Sequence, residues 1–378
     1  MTYTKHALEL HQKFGGKLRT EVRDPDLGVE KLTYYYSPGV AAVSNEIAAH
    51  PEKMRDYTWV NNLVGVVSDG SAVLGLGNVG PRAAMPVMEG KGLLFKHFAN
   101  VDAVPIVLDV HTADEIVDAV TAIAPSFGAI NLEDIAAPLC FEVEERLKEK
   151  LDIPVFHDDQ HGTAVVALAG LINAAKLTGR DMGNMRIVLI GAGAAGTAIA
   201  KLIHKYAAPE IIVVDSRGVI HEGREGLSPV KQELAGLHNS DARTLEEALN
   251  GADAVIGISR PGLLTQDMIR SMAQDPIVFA LANPTPEIMP DEAHAAGAAV
   301  VATGRSDFPN QVNNAIVFPG IFRGALDNRV RMITDAHKIA AAEVVAAAVT
   351  TPSAEEIIPS VFNEALVPAI AAVITEDK

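Results

Sequence analysis

Three short acidic runs follow apolar, strand-like segments of the chain. Asp109 comes after 104–108, Glu133-Asp134 after 128–132 and Asp158-Asp159 after 153–156. Carboxylates are hard oxygen donors. Glu133, Asp134 and Asp159, with no cysteine set and no histidine set beside them, suit Mg²⁺ or Mn²⁺ with positions left open for substrate oxygens and water. His157 and His161 stand four apart, but one should end a strand and the other open a helix. They need not share a face, so zinc is set aside. Lys91, in Met88-Glu89-Gly90-Lys91-Gly92, is a lone cation in an apolar segment; desolvated or beside a metal, such an amine can become a general base. Tyr36 closes the run Tyr34-Tyr35-Tyr36, and its hydroxyl is suited to donate a proton or orient an anion. Asn283 falls at a strand end in Leu281-Ala282-Asn283-Pro284-Thr285-Pro286, and Asn313-Asn314 lies in a loop leading to Phe318-Pro319-Gly320. Each of these groups taken singly also has an ordinary role as surface charge, packing or turn; their placement at parallel strand ends is what favours chemistry.

A second chemistry is carried by glycine. Gly191-Ala192-Gly193-Ala194-Ala195-Gly196 follows the apolar segment 186–190 and opens a helical stretch, 197–206. The next strand, 211–214, ends in Asp215, roughly two dozen residues past the first glycine. The glycines allow a tight turn and close approach of a pyrophosphate, the helix N-terminus faces its charge, and the acid accepts from a ribose hydroxyl. Asp215 favours a free 2′-hydroxyl and hence NAD. Arg217, two residues on, is placed to meet a 2′-phosphate, so NADP stays open. A second G-x-G-x-x-G string, from Gly75 to Gly80, is followed by Pro81, Pro86, Gly90 and Gly92, so no clean helix is expected behind it. It reads either as an anion-binding nest near the substrate or as a plain tight turn.

The elements that must hold these groups have the pattern of an α/β fold. Helical spacing covers 4–14, and Ser37-Pro38 reads as an N-cap and first helical residue before a helix over 40–49. Residues 63–68 and 72–76 around Asp69-Gly70 suggest a hairpin. Strands at 104–109, 128–132 and 153–156 then alternate with helices at 113–124 and 138–150, which implies a parallel sheet whose ligands sit beyond the carboxyl ends of its strands. A long apolar helix, 160–176, leads to a second array with strands at 186–190, 211–215, 254–258, 277–282 and 298–302. Helical spacing returns over 336–349 and 354–374. The expected architecture is two α/β domains, residues 1–160 for substrate and metal and 161–378 for a Rossmann-type dinucleotide fold, with the C-terminal helices packing back.

Composition narrows the function. Of 378 residues 48% are hydrophobic and 21% charged, and 31 basic against 48 acidic side chains give a net charge of −17. That balance argues against a nucleic-acid partner, and an anionic substrate must be gripped by a local device such as a metal or a few placed cations. The one cysteine, Cys140, rules out an internal disulfide, and no stretch is long and apolar enough for a membrane span. A cytoplasmic protein is expected.

Read in order, Tyr36-Ser37-Pro38-Gly39-Val40, Gly75 to Gly80, Glu89-Gly90-Lys91, Asn131-Leu132-Glu133-Asp134, 156–164, Gly191 to Gly196, Ala282-Asn283-Pro284-Thr285 and 313–320 resemble the malic enzymes, short bacterial branch. The resemblance implies metal-dependent oxidative decarboxylation of L-malate to pyruvate and CO₂ with NAD(P)⁺ by a homodimer. It implies that Lys91 takes the C2 hydroxyl proton, Tyr36 protonates C3, and Glu133, Asp134 and Asp159 hold the metal with Asp158 supporting Lys91 or the metal shell. It also assigns Gly191, Gly193, Ala194, Ala195, Gly196, Asp215, Arg217 and Asn283 to the cofactor, and Asn283, Asn313 and Asn314 to substrate. Where the eukaryotic branch of that family carries an Arg just before its glycine loop to grip the substrate carboxylate, Val73 stands here. Arg82 and the metal are then the candidates for the substrate carboxylate. Two other readings use much the same residues: a redox-neutral conversion of malate to lactate, and a noncatalytic dinucleotide-binding regulator. An amino-acid dehydrogenase would leave the acid cluster without a purpose.

Overall fold

A computed structural model describes residues 2–73 and 75–376. Ten strands form two sheets: β1 (Leu63–Ser68), β2 (Asp102–Val107), β3 (Ala129–Leu132) and β4 (Val155–His157), then β5 (Arg186–Ile190), β6 (Glu210–Asp215), β7 (Gly218–Val219), β8 (Ala254–Gly257), β9 (Ile277–Ala280) and β10 (Val300–Thr303). The first sheet runs β2-β1-β3-β4 and is wholly parallel. The second runs β10-β9-β8-β5-β6-β7, parallel except for the β6–β7 hairpin at its edge. Strand order reverses at β5, between β6 and β8, which is the switch point where doubly wound sheets open a crevice.

The register places the acids. Leu132 pairs with His157 across β3 and β4, so Glu133-Asp134 and Asp158-Asp159 leave the sheet side by side. β1 is buried along its whole length, as a strand flanked on both edges by parallel neighbours should be. That position corrects the expected hairpin: with β2 and β3 holding both edges, residues 72–76 have no strand edge to pair with and make only a turn bridged from Val73 to Gly77, with Leu74 outside the described residues.

A second correction concerns Gly75 to Gly80. A helix does follow, Gly80–Ala99. Pro81 sits in its first turn, where a missing N–H goes unused, and Asn100 in the left-handed region ends it. Pro86 removes one internal bond, and the burial of Ala84, Met88, Phe95 and Ala99 on one stripe outweighs that loss. The helix Val40–Ala49 forms as expected, but its N-cap is Gly39, whose Cβ would lie 2.6 Å from the Thr33 carbonyl, and not Ser37. Of the long C-terminal helix expected over 354–374, only Leu366–Val373 forms. Pro359 interrupts it, and Asn310 and Asn173 bond the backbone of Ile357 from outside, at 2.9 and 3.0 Å, in place of a helical neighbour.

The two sheets share one apolar core. It runs from Val64, Val66 and Met88 through the helix Asp158–Leu177 to Ile187, Leu189 and Phe279. The helix Phe318–Asp327 packs back against Gly80–Ala99: Phe95 lies edge-on to Phe318 at 4.7 Å and to Phe322 at 5.1 Å, and Phe156 meets Phe322 at 5.7 Å. Among the described residues no helix is long and apolar enough to cross a membrane. Phe322→Ala should lower the unfolding free energy by about 3–5 kcal/mol, the usual cost of emptying an aromatic site. Chemical denaturation measures this, and a loss below about 1 kcal/mol would show that the aromatic cluster does not join the two halves.

Candidate active site

Lys91 lies on the buried stripe of its helix, one turn before Phe95 and less than one turn after Met88. Its side chain is 7% exposed. The ammonium meets Asp158 Oδ2 at 2.5 Å and Glu133 Oε1 at 2.8 Å, and stands 4.2 Å over the Phe318 ring. Burial works against that charge, but the carboxylates of Asp158, Glu133 and Asp159 overcome it and hold the amine above its ordinary range. Burial in turn pushes the acids up: Glu133 rises, and Asp158 and Asp159 reach about 6.

The acids are positioned by backbone. Glu133 Oε2 accepts from the Asn131 amide at 2.8 Å, and Asp159 Oδ2 from the Asp134 N–H at 2.7 Å. Asp134 sits in the left-handed region at φ 54, which turns the chain so that this N–H faces Asp159. Asp158 and Asp159 form the first turn of the Asp158–Leu177 helix, a position that stabilises negative charge. Gly162 leaves the space beside them, since a Cβ there would sit 1.9 Å from Asp158 Oδ1.

Glu144 is a buried acid not foreseen from the motifs. It accepts from the His157 N–H at 3.0 Å, meets His161 Nε2 at 2.8 Å and pairs with Lys148 at 2.7 Å, so it clamps the turn that bears Asp158 and Asp159. Burial opposes its charge, yet His161 and Lys148 hold its carboxyl well below the usual range. The sequence does carry a signal for it, because Cys140, Val143, Glu144 and Leu147 share the buried helical stripe and an acid on such a stripe needs a partner. With His161 turned to Glu144, the two histidines do not converge.

Other candidates fall at various distances from this cluster. Asn314 is close: its Cβ would be 3.0 Å from a Cβ at Gly162. Asn313 spends its side-chain oxygen on the N–H of Ala315, capping a short turn. Asn283 leads the loop after β9, and Gly75 approaches its carbonyl, a Cβ there coming within 3.7 Å. Arg82 is exposed in the first turn of the Gly80–Ala99 helix, and Val73 is buried. Tyr36 is 68% exposed on the N-terminal surface and is not bonded to Lys91 or the acids.

The glycine loop lies at the carboxyl end of β5. Gly191 (φ 116) passes the Ile258 carbonyl, and Gly196 packs so tightly that a Cβ would be 1.9 Å from the Gly191 oxygen. Gly193 has open space before it and caps the Ala194–Ala207 helix, whose first residues Ala194 and Ala195 present their N–H groups outward from the turn. Ala194 also packs on the core of the first sheet, bringing the loop to the acid-bearing domain. Asp215 ends β6 and is bonded by Arg224 and Lys231, with the Arg217 N–H 2.9 Å away.

Among the described residues no three His, Cys, Asp or Glu side chains already stand in a metal-holding arrangement. The donor chemistry nonetheless fits a divalent cation. Two buried carboxylates, Glu133 and Asp158, and the half-buried Asp159 face one ammonium, and Asp158 Oδ1 is buried with no hydrogen-bond partner.

Fold and site together define a two-domain α/β protein in which a dinucleotide loop adjoins a buried lysine–carboxylate cluster. Residues 26–148 match the family described as malic enzyme, N-terminal domain, and residues 160–376 match malic enzyme, NAD binding domain. The chain belongs to the malic enzyme family. It is 52% identical over 381 aligned residues to the bifunctional malic/malolactic enzyme of Bacillus subtilis (strain 168), covering 100% of this chain and 93% of that protein. It is 52% identical over 347 residues to the NADP-dependent malic enzyme of Rhizobium meliloti (strain 1021), covering 90% of this chain and 45% of that one. The crystal structure of the NAD-dependent malic enzyme of Thermotoga maritima superposes with a TM-score of 0.95 at 46% identity, covering 97% of this chain and 98% of that one.

Two outcomes follow from the packing and the charges. Gly196→Ala should destabilise the chain outright, whereas Gly193→Ala should keep its thermal midpoint and weaken only dinucleotide binding; equal midpoints for the two variants would contradict the close packing at Gly196. An acid whose folded pKa lies above its unfolded value loses stability on ionising, so Asp159 should cost nothing below about pH 4 and its full amount above about pH 6. In EDTA at pH 7.5, Asp159→Asn should therefore melt no lower than the parent, and a markedly lower midpoint would refute the desolvation argument.

Proposed function

We propose that this protein oxidatively decarboxylates L-malate to pyruvate and CO₂ while reducing a nicotinamide dinucleotide, with the reaction centred on Lys91. The observation that carries the reading is a buried ammonium wedged between Asp158 and Glu133 in a chain of the malic enzyme family. A noncatalytic binding protein would have no use for such a cluster, which costs folding free energy.

Lys91 takes the proton of the C2 hydroxyl. Since its amine is held charged, it must first hand a proton on, and Asp158, 2.5 Å away with its carboxyl pushed up to about 6, is the acceptor. The Phe318 ring and the shared apolar core keep water from the ammonium, so the exchange stays between these two groups. Asn314 and Asn283 orient the substrate from the second domain, and Asn313 props the turn that carries Asn314. Glu133, Asp134 and Asp159 would hold Mg²⁺ or Mn²⁺, which when bound takes up the surplus negative charge and, as a Lewis acid, stabilises the enolate that loss of CO₂ leaves. Gly191, Gly193 and Gly196 with the N–H groups of Ala194 and Ala195 cradle the dinucleotide, which supplies the hydride acceptor.

The same reading includes a cytoplasmic homodimer and a division of the chain into residues 1–160 and 161–378. The exposed apolar side chains gather in the N-terminal region, among them Leu8, Phe14, Val29, Tyr34, Tyr35, Tyr36 and Trp59, and neither the Val29–Tyr35 nor the Val40–Ala49 helix has a buried residue. Helices with no buried face need a partner, and a second copy covering this surface would also enclose Tyr36, the proposed proton donor to C3.

Malate-dependent appearance of reduced dinucleotide, with pyruvate formed in equal amount and dependent on Mn²⁺, tests the proposal; malate loss without net reduction would overturn it. Lys91→Ala should lower turnover by about 10²–10⁴-fold with a smaller change in malate binding, and parental turnover would remove Lys91 from the mechanism.

A further inference from the structure

Away from the lysine cluster and the dinucleotide loop, four arginines line one cleft of about 550 Å³: Arg23, Arg55, Arg323 and Arg329. They come from separate parts of the chain. Arg23 lies in the irregular segment before the Val29–Tyr35 helix, Arg55 in the short helix Met54–Tyr57, Arg323 in the Phe318–Asp327 helix and Arg329 just after it. The carboxylates in the lining are Asp56 and Asp327, and both are engaged. Arg329 meets Asp56 at 2.6 Å, and Arg323 is bonded to Asp327, with Nε 2.9 Å from Oδ2. Asn62 holds Arg323 further: its Oδ1 accepts from Nη1 at 2.6 Å, while its amide donates to the Asn100 carbonyl at 2.9 Å and to Asp102 at 3.0 Å.

Two guanidiniums are left over. Arg23 is exposed and makes no hydrogen bond or ion pair among the described residues. Arg55 is half-buried, and its one bond is a long one, 3.5 Å to the Gly128 carbonyl. Burial pushes the Arg55 pKa down, and the charge on Arg329 adds to that. Four cations against two acids leave a surplus of two positive charges in a chain whose net charge is −17. Like charges around one recess repel each other, and a guanidinium with no carboxylate beside it keeps its planar fork of donors for another anion.

We propose that this cleft binds a small molecule carrying two phosphate or carboxylate groups, gripped by Arg23 and Arg55 with Arg323 and Arg329 around it. Two anionic groups are needed because the two unpaired guanidiniums stand on different segments. A long polyanion is disfavoured by the acidity of the rest of the chain. The cleft also lies where the two halves of the molecule meet. Arg55 precedes β1, whereas Arg323 shares a helix with Phe318, whose ring faces Lys91. An anion bonded to both therefore ties the halves together and stabilises the folded chain. This site is separate from the reaction proposed at Lys91 and stands without it.

The test uses the full chain freed of divalent cations, titrated by calorimetry with inorganic pyrophosphate and, separately, with succinate. At least one of them should bind, and Arg23→Gln/Arg55→Gln should weaken that binding by at least about tenfold, the scale of one charge-assisted contact. The anion whose binding falls shows whether the ligand bears phosphate or carboxylate. No carboxylate loses its partner in this variant, so its thermal midpoint without ligand should match the parent's. Arg23→Gln alone, at an exposed position, should act in the same direction and decides the matter if the double variant melts low. Adenosine 5′-diphosphate should bind parent and variant alike; its failure to bind the parent would overturn the dinucleotide loop and leave the cleft standing. Absence of anion binding by the parent, or binding untouched by both variants, overturns the cleft. A changed oligomeric state of the variant on gel filtration overturns it too, because the arginines would then serve an acidic face of a second copy.

Discussion

Lys91 is an ammonium removed from water, and the arrangement around it follows from that. A cation so buried persists only with carboxylates against it, and Asp158 and Glu133 meet it from the ends of two neighbouring parallel strands. Those strand ends are level because Leu132 pairs with His157, and the turn after His157 is held by Glu144. The acids exceed the lysine in number, so the cluster is left with a negative excess and an unpartnered oxygen on Asp158. Such an excess is unfavourable for folding: it keeps the Lys91 amine charged and leaves hard oxygen donors crowded at one place.

The second constraint is that two ligand-binding crests must face each other. Both sheets present loops at the carboxyl ends of parallel strands, and what fixes their relation is the apolar material between them. The Asp158–Leu177 helix begins in the acid cluster and runs into the core of the second sheet, while Phe318 and Phe322 return to pack on Phe95. Phe318 serves both tasks, since its ring faces the Lys91 ammonium and its edge contacts join the two halves. The dinucleotide loop and the buried lysine are thus held by the same packing.

At the far side of the dinucleotide crevice electrostatics has the opposite sign. A chain of net charge −17 gathers Arg224 and Lys231 around the Asp215 carboxylate at the end of β6. The N-terminal region shows a different imbalance, with apolar side chains facing outward from the Val29–Tyr35 and Val40–Ala49 helices, neither of which has a buried residue.

The local pattern alone determined a good deal. The alternation of apolar segments and amphipathic stretches gave every strand of both parallel arrays to within a few residues, and Gly191 to Gly196 announced its strand–turn–helix because each glycine answers a steric demand within a few residues of itself. Acids after β3 and β4 could be read as converging, since parallel strands share an end. What the sequence hid depends on partners far along the chain. The hairpin after β1 failed because β2 and β3, from later segments, take both its edges; the helix after Gly80 formed despite two prolines and two glycines because burial against β1 and β2 outweighs local propensity; and the 354–365 segment stayed irregular because Asn173 and Asn310 bond its backbone. The charge state of Lys91, the clamp at Glu144 and the paired carboxylate of Asp215 lie in the same class. Their energies are set by desolvation and by pairs up to 67 residues apart, and only the folded chain brings the distant pairs into contact.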